Sequence, residues 1–133
     1  MATFTFELVS PERVLFSGPV AQVVVPGADG DMTILASHAP VMTVLRSGVV
    51  SVAEDKGASL RLFVAGGFAD VTPAGLTILA EQAIPVSEID PEKVAANMKN
   101  AEEDLRDAKT DEAREAAAER LDSLKGMLAA VRH

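Results

Sequence analysis

Helix-breaking residues are confined almost entirely to the first two-thirds of this chain. All nine glycines except Gly126, and all seven prolines except Pro91, precede residue 89. The remainder is built largely from alanine and charged residues. Glycine and proline are the poorest helix formers and supply turns, whereas alanine, glutamate, lysine and arginine are among the best. The chain therefore reads as a β part followed by helices.

The β part carries repeated strand signals. Phe4, Phe6 and Leu8 alternate with Thr3, Thr5 and Glu7, the period of two of a half-buried strand. Short β-rich runs follow at 13–16, 20–25, 32–35, 45–53, 60–65, 69–72 and 76–80. Ser17-Gly18-Pro19, Asp55-Lys56-Gly57 and Pro73-Ala74-Gly75 offer turns between them. Short strands at such regular spacing indicate a sandwich or barrel rather than a parallel sheet. Gly66-Gly67, inside a strand-like run, marks a bulge or a close approach of two backbones.

Beyond residue 88 the period changes. Asp90 is a good N-cap, with Pro91 at the first helical position and Glu92 in the first turn. Val94, Met98, Ala101, Leu105 and Ala108 then follow a coiled-coil-like seam. Lys109-Thr110-Asp111 interrupts it, and Thr110 or Asp111 can cap a second helix. Ala117, Leu121, Leu124, Leu128 and Val131 repeat the rhythm. Alanine in both seams lets two antiparallel helices approach closely, but it buries little area. Such a pair is marginal by itself.

Composition excludes several kinds of chemistry. There is no cysteine, so disulfides, thiolate catalysis and thiolate-bound zinc are ruled out, and a cytoplasmic location is expected. A net charge of −8 disfavours nucleic acid and anionic lipid, which need clustered Lys and Arg. No apolar run reaches the roughly 20 residues that span a bilayer, and the N-terminal residues lack the basic-then-apolar pattern of a secretion signal. The stretch GADGDMTILASHAP at 27–40 gathers Asp29, Asp31 and His38, the only histidine besides His133. It lacks the ligand series of a calcium loop, and no G-K-[ST] follows Gly27 and Gly30. No serine sits in a nucleophile elbow. A tight turn before a strand accounts for the glycines, and backbone groups can satisfy His38. The residues alone give a small β domain with a helical arm and no visible active site.

Three runs in series carry a resemblance. VSPERVLFSG at 9–18, GDMTILASHAPVMTVLRSG at 30–48 and VAGGFADVTPAGLTILAEQA at 64–83 precede a hairpin that starts at Ile89-Asp90. In order and spacing they resemble the epsilon subunit of F-type ATP synthases, called delta in mitochondria. The resemblance implies an α+β chain, with a ten-stranded β-sandwich over 1–86 and an antiparallel two-helix hairpin over 87–133. It implies a non-catalytic rotor subunit of the central stalk that binds the gamma subunit and the c-ring and couples proton-driven rotation to ATP synthesis. The expected place is the cytoplasmic face of the bacterial inner membrane, peripheral and held there only through the complex.

Carried over by residue, the c-ring contact falls on Gly30, Asp31, Met32 and Thr33. Asp31 stands where the family's G-E-x-G-I pattern has the longer Glu, and Thr33 replaces its second glycine. The gamma contact falls on His38, Ala39, Pro40, Met42 and Thr43. In some bacterial members the hairpin binds ATP through an I-D-x-x-R-A start and arginines on the second helix, and reaches the alpha and beta subunits. The matching residues here are Ile89, Asp90 and Lys93, with Arg114 and Arg120 on the second helix. Lys93 lacks the planar fork of the arginine it replaces, and Val94 replaces alanine. No cofactor is required by the resemblance, and weak or absent MgATP binding and weak restraint of hydrolysis are expected.

Overall fold

A computed structural model describes residues 2–55 and 57–132, which leaves Lys56 of the expected 55–57 turn and the terminal His133 outside the described residues. The chain divides into two units between Pro85 and Val86.

The first unit holds ten strands: β1 (Phe4–Val9), β2 (Val14–Val20), β3 (Gln22–Gly27), β4 (Gly30–Leu35), β5 (Val41–Val44), β6 (Gly48–Ala53), β7 (Ser59–Val64), β8 (Gly67–Thr72), β9 (Gly75–Ala80) and β10 (Ala83–Pro85). They form two five-stranded sheets, ordered β2-β1-β9-β8-β5 and β10-β7-β6-β3-β4. Neighbours pair antiparallel except β1 and β9, which run parallel with Phe6 opposite Leu76. Alternate residues of both sheets meet in one aliphatic core that includes Phe6, Leu8, Val23, Val25, Ile34, Leu62 and Ile78, each at most 1% exposed. Sealing a side chain of this kind from water contributes about 1.5–3 kcal/mol. Phe6 also stacks on Phe16, with ring centroids 5.4 Å apart.

One expectation from the sequence needs correction, and another is narrowed to one of its two alternatives. Ser17-Gly18-Pro19 is not a turn: β2 runs straight through it, with Gly18 opposite Phe6 and Pro19 opposite Thr5. Proline is tolerated because β2 is an edge strand, where a missing N–H need not break a ladder on both sides. The chain instead turns at Ala21 and passes to the other sheet. Gly66-Gly67 resolves to the close approach. A Cβ on Gly67 would lie 2.2 Å from the Leu79 carbonyl oxygen, and its φ of +117° suits glycine alone.

The second unit opens with a short 3-10 turn (Val86–Glu88) before α1 (Pro91–Asp107) and α2 (Asp111–Arg132). Asp90 caps α1 by accepting from the Glu92 N–H at 3.0 Å. For α2 the cap is Thr110, whose hydroxyl accepts from the Ala113 N–H at 3.0 Å. Val94, Ala101, Ala117, Leu121 and Leu124 are buried as the seams require. Near the end of α2 the buried position is Ala130, while Leu128 and Val131 are only half-buried. Among the described residues, no helix is long and apolar enough to cross a membrane.

Candidate functional site

The GADGDMTILASHAP stretch folds as a hairpin, a strand and a second turn. Gly27 and Gly30 are the last paired residues of β3 and β4, so the tip is Ala28-Asp29. Asp31 is not at the tip. It lies in β4 opposite Pro26, and its carboxylate accepts from Arg46 at 2.7 Å. Met32 turns inward and packs against the core, while Gly30, Asp31 and Thr33 are exposed. His38 follows the far end of β4, separated from Asp31 by roughly the length of that strand, near 3.4 Å per residue. The grouping of two aspartates with a histidine therefore exists in the sequence only. Among the described residues, no three metal-ligating side chains converge anywhere.

Leu35, Ala36, Ser37 and His38 make the second turn, closed by the His38 N–H to the Leu35 carbonyl at 3.1 Å. Ser37 has φ +72°, a position at which such turns favour glycine. The His38 ring is half-buried and donates from Nδ1 to the Ala39 carbonyl at 2.8 Å. Ala39 and Pro40 are exposed. Further on, Met42 and Thr43 part company. Met42 is 64% exposed, while Thr43 points to the opposite face of β5 and is half-buried.

Met42 leads to a feature that single-sequence periodicity did not isolate. Val44 pairs with Phe68, Phe68 with Leu79, Leu79 with Val9, and Val9 with Val14. These five apolar residues make one cross-strand row over all five strands of the first sheet, on its outer face. Val44, Phe68, Leu79 and Val14 are 65%, 38%, 43% and 61% exposed. A shallow groove of about 640 Å³ follows part of the row, lined by Val9, Val44, Phe68, Leu79 and the Gly66-Gly67 backbone. The next row outward is mostly polar, running Met42, Asp70, Thr77, Glu7 and Ser17. An apolar band rimmed by polar groups is how protein-binding surfaces are built. Each strand contributes only one exposed apolar residue to the row, so the signal lies in the register and not in any local run.

In the helical unit most of the proposed nucleotide residues are already engaged within the chain. Ile89 is buried, and the Asp90 carboxylate is used as a cap. Arg114 pairs with Asp111 of its own helix, and Arg120 with Asp104 across the hairpin. With only three residues between the helices, Lys93 and Arg114 lie roughly 17 Å apart along the hairpin, at 1.5 Å per residue.

Comparison with known proteins places this geometry. The β-sandwich domain of the ATP synthase delta/epsilon chain matches residues 3–86. ATP synthase epsilon chains from Parvibaculum lavamentivorans and Maricaulis maris are each 52% identical; the matches cover 90% and 96% of this chain and 91% and 96% of those chains. A chain of the Euglena gracilis mitochondrial ATP synthase, solved as an OSCP/F1/c-ring assembly, superposes with a TM-score of 0.84 at 26% identity, over 98% of this chain and 82% of that one. A chain from the central stalk and c-ring of the Tetrahymena thermophila mitochondrial enzyme shares the fold, with a TM-score of 0.67 at 16% identity, covering 98% and 97%. On its sandwich, its hairpin and these likenesses, the chain belongs to the delta/epsilon chain family of ATP synthases.

Proposed function

We propose that this chain is a non-catalytic rotor subunit of the central stalk, joined to gamma on one side and to the c-ring on another, so that proton-driven rotation reaches the catalytic head. The observation that carries the gamma contact is the apolar row from Val44 to Val14. It begins beside Met42 and so extends the surface assigned to His38, Ala39, Pro40 and Met42. Thr43 supports that surface from behind. The ring contact is assigned to the β3–β4 hairpin, including Gly30, Asp31 and Thr33, with Met32 anchoring it in the core. The Euglena neighbour comes from an assembly that contains a c-ring, which supports the reading. The place of action is then the cytoplasmic face of the bacterial inner membrane.

Phe68→Glu combined with Leu79→Glu tests the gamma surface. Both side chains point outward, so the sandwich should keep its fold while co-purification with gamma falls at least tenfold. Unchanged recovery of gamma, with the fold intact, would rule the surface out. For the hairpin, MgATP should bind with a dissociation constant weaker than about 0.1 mM, roughly 5.5 kcal/mol, because Arg114 and Arg120 are already matched by aspartates. Calorimetric titration of the purified chain decides this, and tighter binding would overturn it.

A further inference from the structure

The β3–β4 hairpin carries two exposed carboxylates, and the structure treats them differently. Arg46, in the connection from β5 to β6, donates from Nη2 to Asp31 at 2.7 Å and from Nε to the Gly27 carbonyl at 3.1 Å. Its backbone N–H donates to the Pro26 carbonyl at 2.9 Å. One residue thus ties β3 and β4 to the connection at the base of the hairpin. The Ala28 N–H adds a bond to the Val44 carbonyl at 2.9 Å. The charge of Asp31 is matched within its own chain. Asp29, at the tip, is exposed and makes no ion pair among the described residues.

We infer that Asp29, and not Asp31, is the carboxylate this hairpin offers to a basic or hydrogen-bond-donating loop of the ring, while Arg46 and Asp31 are positioning residues that set the direction of the tip. The inference rests on the ring reading above and names which acid serves it. A partner that recruited Asp31 would first have to displace a guanidinium that also donates to the Gly27 carbonyl. A partner meeting Asp29 displaces only water. An exposed, unpaired charge also gives a contact that weakens with salt.

The test uses whole F1 carrying each variant, rebound to membranes stripped of F1 but retaining the c-ring, at low and high ionic strength. Asp29→Asn should lower affinity about fivefold or more at low salt, and the difference should fade at high salt. Asp31→Asn should lower it less than twofold. Arg46→Asp should weaken binding at both ionic strengths, and adding Asp31→Arg, which rebuilds the ion pair in reverse but not the bond to Gly27, should recover part of the loss. A larger loss with Asp31→Asn than with Asp29→Asn overturns the inference while leaving the ring reading in place. So does failure of the reversed pair to recover any of the binding lost with Arg46→Asp. If Asp29→Lys and Asp31→Lys both leave binding unchanged, the ring reading itself falls and the inference falls with it.

Discussion

Phe6, Leu8, Val23 and Ile78 are sealed from solvent at 0% exposure in the sandwich, whereas three of the six buried residues of the two helices are alanines, at positions 101, 117 and 130. The sandwich joins its sheets through large branched and aromatic side chains. Its stability is the area removed from water, and distant strands share it. The hairpin gains close approach of two backbones but little buried area, so its capping and its few leucines count for more. The difference suits a molecule with one part that must hold its shape and another whose packing can change at small cost.

Phe6→Ala should have the largest effect, about 3–5 kcal/mol lost in urea denaturation of the whole chain. A loss below 1 kcal/mol would show that the core does not depend on that ring. Ala101→Leu should cost about 1–3 kcal/mol through overpacking of the seam, seen as reduced helical circular dichroism with amide exchange in the sandwich unchanged. Equal acceleration of exchange in the sandwich would break the comparison, since the two parts would then be one cooperative unit. Thr110→Ala should cost about 1 kcal/mol, with faster exchange confined to the first turn of α2. Protection there at the original level would mean that the cap is supplied by another group.

Much of the fold was legible in the residues. Period-two alternation located β1, and Asp90-Pro91 located the start of α1 to the residue. The break assigned to Ser17-Gly18-Pro19 failed because composition does not say whether a strand lies at an edge, where proline is tolerated. Two short strands, β5 and β10, escaped the local pattern because β5 follows Pro40 directly and β10 ends in Pro85. The resemblance singled out the β3–β4 hairpin, but the pairing inside it was not legible. Arg46 reaches Asp31 across 15 positions, and no window of sequence pairs them. The apolar row was hidden for a related reason, since its members meet only once five strands are in register.

The parallel pairing of β1 with β9 carries a consequence for synthesis. Phe6 must wait for Leu76 before its strand has a neighbour on that side, so most of the sandwich is made before its first sheet can be completed. Until then β1 has only β2 as a strand neighbour, and a two-stranded ribbon is marginal in water. The hairpin, by contrast, needs only nearby residues and forms last and fast. A chain cut short before residue 75 therefore leaves the inner edge of β1 unpaired and prone to aggregation, and it is the arrival of β9 that closes it.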